Sequence, residues 1–223
     1  LHLLSRRQRQ MCIRDSLWVN TQIPMMKIYE QERKHGTLVS LDGHGADELY
    51  CGYNFDALRA LPDAHFKMHD VDNIIRAYVD QLSDKEADVN SSEFKKKRNR
   101  IYVDNLIHYY GRRILGKPAV DSSYTGHPAW KELDNLNKAL FVSTHETVLP
   151  TLLRNYDRDS MAASVEIRMP FMDYRLVQYA FSIGWKSKLH DGYTKSIIRD
   201  AMAPFMPKDI ACLLYTSPSP RDS

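Results

Sequence analysis

The order of apolar and polar positions predicts a helix and then a strand near the start of the chain. Residues 25–35 mix apolar and polar side chains at helical spacing, and Gly36 follows where a helix commonly ends. The next apolar run, Leu38-Val39-Ser40-Leu41, predicts a buried strand. A helix that leads directly into such a strand forms half of a βαβ unit.

Helical spacing dominates the rest of the pattern. Further helices are predicted over residues 47–61, 74–82, 94–114, 130–140, 144–156, 173–182 and 194–202. Pro62 would stop the first of these, Ser91 or Ser92 would cap the third, and Pro150 would kink or restart the fifth. One short parallel-type strand among many helices indicates an α/β fold, namely the end of a nucleotide-binding domain with a helical extension.

A glycine-bracketed acidic loop, Asp42-Gly43-His44-Gly45-Ala46-Asp47-Glu48, follows the predicted strand. Glycines in such a turn let backbone amides and carboxylates approach a phosphate-metal complex closely. A carboxylate at the carboxyl end of a strand is well placed for a magnesium ion that bridges nucleotide phosphates. Asp47 or Glu48 could instead interact only with the dipole of the following helix, and the residues alone favour neither interpretation.

Two cations stand one helical turn apart near the end of the chain. Lys195 precedes Arg199 by four residues, after Asp191-Gly192, so both are expected on one side of a helix that this dipeptide opens. When a carboxylate is adenylated, charge develops on the departing pyrophosphate, and a lysine stabilises that charge. The alternative is a surface ion pair of Lys195 with Asp191 or Asp200, which the residues alone favour.

A third segment, Ser164 to Asp173 with the sequence SVEIRMPFMD, lies between these two motifs. In this order, the three segments resemble the synthetase domain of glutamine-dependent asparagine synthetases. The resemblance implies a partial Rossmann-like PP-loop ATP pyrophosphatase domain with a predominantly helical C-terminal part. It also implies ATP and Mg²⁺ as cofactors. The charged residues interleaved with small apolar ones around residues 161–163 predict a partly buried ion network that shapes the site: Arg154, Asp157, Arg158, Asp159, Glu166, Arg168 and Asp173.

The same resemblance assigns roles to individual residues. Lys195 corresponds to the active-site lysine of the family, and Asp47 to the residue that helps to hold magnesium on ATP pyrophosphate. The implied nucleotide contacts are Asp42, Gly43, Gly45, Glu48 and Arg199. The family has serine at position 42 and glutamate at position 44, and that glutamate is expected near the acceptor. His44 is therefore predicted to be catalytic, and its identity leaves the acceptor open.

The function that the resemblance implies is that of a carbon-nitrogen ligase. ATP converts a carboxylate to an acyl-adenylate, and ammonia derived from glutamine displaces AMP to give an amide. Aspartate is the default acceptor, with asparagine as product. A different carboxylate, such as a sugar uronate, and a non-catalytic binding module of the same fold are the alternatives. Self-association to a homo-oligomer is left open.

The two ends of the chain carry a separate pattern. The reverse complement of a DNA sequence that can encode residues 11–15 encodes residues 212–216. We therefore expect residues 1–16 and 212–223 to be translated sequencing adapter, and residues 17–211 to be a partial asparagine synthetase-like domain. The Ser-Gly-Gly-x-Asp-Ser loop and the N-terminal cysteine of the family do not occur in the chain, so this piece alone is expected to be inactive.

The charge balance and the cysteine count change once the two ends of the chain are set aside. They contain five of the 31 basic and two of the 28 acidic side chains, which leaves 26 of each and no charge-based case for nucleic acid or an anionic membrane. Cys51 is then the single thiol, as is typical of a reducing compartment. The retained sequence shows no secretory signal and no apolar run that could span a membrane, so a cytoplasmic protein is expected.

Overall fold

The structure of the protein is a computed structural model that describes residues 22–83 and 87–207. The terminal segments 1–16 and 212–223 lie outside the described residues. The described chain divides into two compact units. The first contains residues 22–44 and 149–170, and the second contains residues 45–148 and 171–207.

Most of the elements are helices. The α-helices are α1 (Gln22–Lys34), α2 (Ala46–Tyr50), α3 (Asn54–Ala57), α4 (Met68–Ser83), α5 (Ser92–Ile114), α6 (Asn135–His145), α7 (Val148–Ala162), α8 (Tyr174–Ser182), α9 (Trp185–Lys188) and α10 (Ser196–Met202). The 3-10 helices are Leu58–Ala64, Pro128–Lys131 and Pro170–Met172. The strands are β1 (Val39–Leu41), β2 (Glu166–Arg168), β3 (Leu189–His190) and β4 (Tyr193–Thr194). No helix of residues 22–83 or 87–207 has the length and apolar character needed to cross a membrane.

Local signals in the sequence placed several of these elements correctly. Gly36 has φ +86° just after α1, and the Ser91 side chain accepts a hydrogen bond from the backbone of Phe94 at the start of α5. Pro150 stands in the first turn of α7, where a helix tolerates proline. Asp173 caps α8 by accepting a hydrogen bond from the Arg175 backbone. The predicted end of α1 at Gly36, the predicted Ser91 cap and the proline restart are therefore confirmed. The Asp173 cap was not predicted, since the expected helix began at that residue.

The first unit is built on a parallel strand pair. β1 pairs with β2 in the register Val39 to Glu166 and Leu41 to Arg168. Val39 and Leu41 share one face of the strand and are 41% and 73% exposed, whereas Ser40 on the other face hydrogen-bonds Glu32 of α1. The prediction of a buried strand is therefore wrong within the described residues, because the covered position of this short strand is polar.

The second unit contains the larger core. Its buried apolar side chains come from the segment around α3 and the 3-10 helix that follows it, and from α4, α5 and α6; they include Leu61, Ile74, Ile75, Phe94, Leu136 and Leu140. Lys188 lies among them with no exposed surface and donates to Asn137 Oδ1 at 2.5 Å. Desolvation lowers the pKa of Lys188 to about 8, and the charge of Asp134 opposes the shift.

The predicted helix over residues 47–61 is wrong as a single element. α2 ends after Tyr50 because Cys51 adopts a left-handed conformation with φ +63°. The chain then continues as α3 and as a 3-10 helix that passes through Pro62. A continuous α-helix would have kept the backbone around Gly52 away from Asp47 and Lys195, with which it packs in this structure.

The helix predicted from Asp191-Gly192 onward is also different. These two residues have φ +52° and +78° and form the turn of the antiparallel β3–β4 hairpin. Lys195 follows the hairpin in a left-handed conformation, with φ +54°, and precedes the first residue of α10. Lys195 and Arg199 therefore do not share a helical face, and the turn dipeptide shapes a hairpin.

Candidate functional site

An ion pair joins two of the predicted site residues in the second unit. Lys195 Nζ lies 2.6 Å from Asp47 Oδ1, and the two side chains are 31% and 39% exposed. Asp47 belongs to the first turn of α2, and the backbone N–H of Lys195 donates to Tyr50 O at 3.2 Å. The end of the hairpin is thus fixed to the end of α2, and a carboxylate and an ammonium group stand together at the surface.

Gly52 supports this pair and was not among the predicted site residues. A Cβ at position 52 would lie 1.7 Å from Asp47 Oδ1 and 2.5 Å from Lys195 Cε. Its backbone N–H also donates to Asp47 O at 2.8 Å. Gly52 could have been identified from the sequence because it interrupts a segment with a helical pattern. A glycine in such a place often marks a close approach between the backbone and another group.

The two glycines of the acidic loop have different surroundings. Gly45 has φ +94°, and a Cβ there would meet Met172 Sδ at 2.5 Å. A Cβ at Gly43 would meet nothing within 4 Å. Gly45 therefore serves the turn and its packing, whereas the space beside Gly43 is open. Contact of either glycine with a nucleotide stays a prediction.

Glu48 points into the second unit and does not stand beside Asp47 at the surface. It is 2% exposed, and Tyr53 donates to its Oε1 at 2.6 Å. Burial raises the pKa of Tyr53, and the hydrogen bond to Glu48 adds to the shift. The backbone carbonyl of Glu48 accepts a hydrogen bond from the Thr144 hydroxyl. Among the acidic side chains of the loop in this unit, Asp47 is the one that faces solvent.

Asp56 is a second buried carboxyl group, after Glu48, close enough to Asp47 to be affected by its charge. It is 5% exposed, and its Oδ2 has no hydrogen-bond partner among the described residues. Desolvation raises the pKa of Asp56 to about 7; the charge of Arg59 opposes the shift, and those of Glu48 and Asp47 add to it. Near neutral pH this carboxyl group is therefore close to half protonated.

Replacing Asp56 with asparagine is expected to stabilise the protein more at pH 8 than at pH 5. The folded-state pKa lies above the unfolded one, so the stability that Asp56 contributes is complete below about pH 4 and is lost as pH rises through about 7. The difference between the two pH values should be about 3 kcal/mol in the free energy of unfolding, measured by urea denaturation. Asp104→Asn, at an exposed position, is the control. An equal effect of Asp56→Asn at both pH values would contradict the prediction.

Arg199 lies on α10 and engages other groups than Asp47. Its Nε donates to Thr194 O at 2.8 Å, and its guanidinium stands over the Tyr193 ring at 5.4 Å from the centroid. The expectation that Lys195 and Arg199 point the same way is therefore wrong. A nucleotide contact of Arg199 stays a prediction.

The first unit brings Asp42 and His44 together. His44 Nδ1 lies against Asp42 Oδ1, which also accepts a hydrogen bond from the His44 backbone at 3.3 Å. The His44 ring packs on Tyr156 with centroids 4.0 Å apart, and Tyr29 donates to Asp42 Oδ2 at 3.4 Å. The two positions that differ from the family pattern are thus direct neighbours.

Tyr29 and Tyr156 were not predicted as site residues. Burial raises the pKa of both phenols, and the negative charge of Asp42 adds to each shift. Both therefore stay protonated at neutral pH, and Tyr29 donates a hydrogen bond to Asp42. Their spacing in the sequence gave no signal, because they lie on different helices, α1 and α7.

The charged residues of the third motif are mostly exposed. Arg168 and Glu166 pair at 2.9 Å with exposed fractions of 62% and 58%, and Asp173 pairs with Arg175 at the surface. The Arg175 side chain holds the pKa of Asp173 down to about 2. Of the seven charged residues expected in the ion network, Asp159 is the buried one, and Arg154 and Arg158 have interactions of their own. The members of the expected network on the third segment are therefore paired at the surface, and this segment contains strand β2.

The described residues suit a magnesium ion only in part. No group of three or more His, Cys, Asp or Glu side chains in residues 22–83 and 87–207 could hold a metal ion. Asp47 offers one carboxylate, and Lys195 beside it would meet an anionic ligand. This set fits a magnesium ion that takes its other ligands from phosphate oxygens and water, as is usual for magnesium-nucleotide complexes.

Comparison with known proteins gives consistent matches. Residues 3–212 match the asparagine synthase family. The chain is 31% identical over 190 residues to "Asparagine synthetase [glutamine-hydrolyzing] 3" of Bacillus subtilis (strain 168), covering 85% of the chain and 27% of that protein. It is 24% identical over 209 residues to "Asparagine synthetase [glutamine-hydrolyzing] 1" of the same strain, covering 84% of the chain and 31% of that protein. The chain thus spans less than a third of the length of these curated relatives, and no solved structure matches it.

Proposed function

Because the chain belongs to the asparagine synthase family, we propose that it is part of an ATP-dependent amidotransferase that adenylates a carboxylate and converts it to an amide. The amide nitrogen is ammonia released from glutamine, as the glutamine-hydrolysing names of the relatives suggest. A cytoplasmic location, expected because the single thiol of residues 17–211, Cys51, is typical of a reducing compartment, is part of this proposal.

The contact between Asp47 and Lys195 is the observation that carries this proposal. A carboxylate for Mg²⁺ and an ammonium group for phosphate stand 2.6 Å apart at the surface. Lys195 would bind the pyrophosphate as it departs and stabilise the charge on its oxygens. Asp47 would hold the magnesium ion on the same phosphates. A binding module without catalysis has no chemical need for this pairing.

Aspartate is the first acceptor to consider, because the relatives are asparagine synthetases. The neighbouring Asp42 and His44 support a second candidate, a carboxylate other than aspartate. An imidazole held by a carboxylate differs from a lone carboxylate in both charge and hydrogen bonding. A sugar uronate, which carries hydroxyl groups and no ammonium group, is the acceptor class that we propose as the alternative.

The experiment is an acceptor screen with the full-length protein that carries this chain. Pyrophosphate and AMP release would be measured with ATP, Mg²⁺ and ammonia in the presence of aspartate, glutamate, glucuronate or galacturonate. Release that depends on one acid supports the proposal and identifies the acceptor. If none of a broad panel of acids stimulates release, the ligase proposal fails. If aspartate alone is inactive, only the aspartate assignment fails.

A further inference from the structure

The hairpin that leads to Lys195 is too short to be stable by itself. β3 and β4 contribute two residues each and pair as Leu189 with Thr194 and His190 with Tyr193. Lys195 then adopts a left-handed conformation with φ +54°, which costs a residue with a side chain about 1 kcal/mol. Contacts from other elements must therefore hold this hairpin and the direction of the Lys195 side chain.

Arg76 of α4 packs against the turn of the hairpin. A Cβ at Gly192 would lie 2.4 Å from Arg76 Nε and 2.7 Å from its Cζ, so the missing side chain of Gly192 leaves the space that the guanidinium occupies. The same guanidinium stands over the Tyr193 ring, with Cζ 5.7 Å from the centroid, as in a cation–π contact. Arg76 thus contacts two consecutive residues that come shortly before Lys195.

The Arg76 guanidinium is itself held in place. Its Nε donates to Asp80 Oδ2 at 3.2 Å, one helical turn along α4, and Asp80 has no exposed surface. Asp80 Oδ1 in turn accepts a hydrogen bond from the Ala87 backbone at 2.8 Å. Because a carboxylate this deeply buried needs a paired cation, the ion pair fixes the arginine that meets the hairpin.

Tyr193 also connects the hairpin to α10. The Arg199 guanidinium of α10 stands over the Tyr193 ring, and its Nε donates to Thr194 O. The Ser196 hydroxyl, at the start of α10, donates to Tyr193 O at 2.7 Å. Both chain neighbours of Lys195 are therefore hydrogen-bonded to Tyr193 or to the arginine over its ring.

We propose that Arg76 is a positioning residue for the adenylation step. Through its contacts with the hairpin turn and the Tyr193 ring, it keeps Lys195 in the place from which the ammonium group reaches Asp47. This inference rests on the proposed function. The ammonium group must meet the departing phosphate oxygens, and a displacement of about 1 Å can cost about 10²-fold in rate. Arg76 acts through the hairpin and does not need to touch ATP.

The first test reads the hold on the hairpin by amide hydrogen exchange in the chain and needs no activity. The backbone N–H of Lys195 donates to Tyr50 O, so it is expected to exchange slowly. Arg76→Lys keeps the positive charge but loses the planar group that packs on the hairpin, and it should speed exchange at the Lys195 amide by about 10-fold. Arg100→Lys, in an exposed ion pair of the same spacing on α5, is the control and should leave that rate unchanged. An unchanged exchange rate in Arg76→Lys would overturn the proposal.

The second test measures acid-dependent pyrophosphate release in the full-length protein. Arg76→Lys should lower kcat by about 10-fold and leave KM for ATP unchanged, because the lysine that it positions acts in the transition state. Arg76→Ala should be slower still and partly rescued by added guanidinium, but not by sodium chloride at the same ionic strength. If Arg76→Ala does not fold because Asp80 is left unpaired, Arg76→Lys alone decides.

Two outcomes of this test separate the inference from the function on which it rests. A normal kcat for Arg76→Lys would overturn the role of Arg76 while leaving the ligase intact. Absence of pyrophosphate release in the unaltered protein would instead overturn the proposed function. Arg100→Lys is again the control and should match the unaltered protein in both constants.

Discussion

Replacing Lys195 with alanine is expected to slow acid-dependent pyrophosphate release by about 10³-fold in the full-length protein. Its ammonium group is the cation in contact with Asp47, 2.6 Å away, and we propose that it meets the charge that develops on the departing phosphate oxygens. A group that acts only in the transition state lowers kcat and kcat/KM together. Steady-state pyrophosphate assays over a range of ATP concentrations measure both constants.

Two further variants make this result specific. Lys195→Arg keeps the charge but changes its geometry, so it should fall between the unaltered protein and Lys195→Ala. Lys67→Ala removes a lysine at an exposed position and should leave the rate unchanged. If Lys195→Ala raised only KM for ATP and left kcat unchanged, Lys195 would bind the nucleotide without taking part in its cleavage.

Replacing Gly52 with alanine is expected to reduce the same rate by about 10²-fold while the protein stays folded. The new methyl group would lie 1.7 Å from Asp47 Oδ1 and 2.5 Å from Lys195 Cε, so both side chains must leave their positions. Gly52 is outside the left-handed region, and the backbone therefore accepts alanine without strain. Pyrophosphate release and thermal unfolding followed by circular dichroism would be measured together.

Gly126→Ala is the matched control for this substitution. A Cβ at Gly126 would meet nothing within 4 Å, and its φ is also outside the left-handed region. This variant should match the unaltered protein in rate and in Tm. A normal rate for Gly52→Ala would show that the close approach of Gly52 to Asp47 and Lys195 is not needed for the reaction.

Much of the helical pattern could be predicted because helix ends carry local chemistry. The Ser91 hydroxyl and the Asp173 carboxylate act on backbone groups within three residues, and Gly36 adopts the left-handed conformation that ends α1. β2 was missed because three residues with two charged side chains have no strand pattern of their own. It exists as a strand because β1 offers a partner far away in the sequence.

The contacts of the predicted site residues could not be predicted from the sequence. Lys195 was weighed against an ion pair with Asp191 or Asp200, yet those two carboxylates contact His190, at 3.1 and 3.0 Å, and Lys195 contacts Asp47. A pairing between residues so distant in sequence depends on the fold as a whole. The family pattern predicted roles for Asp47 and Lys195, whereas nothing local in the sequence indicated the partner of either residue.

The pairing of β1 with β2 also sets an order of events during protein synthesis. β2 leaves the ribosome only after residues 45–148 and most of α7 have been made, which takes roughly 6 to 25 s at about 5–20 residues per second. During that interval β1 has no strand partner from this sheet, so its backbone N–H and C=O groups are unpaired on the side that β2 later takes. A pause in translation between β1 and β2 would lengthen this interval and give chaperones, or neighbouring nascent chains, more time to bind the unpaired strand.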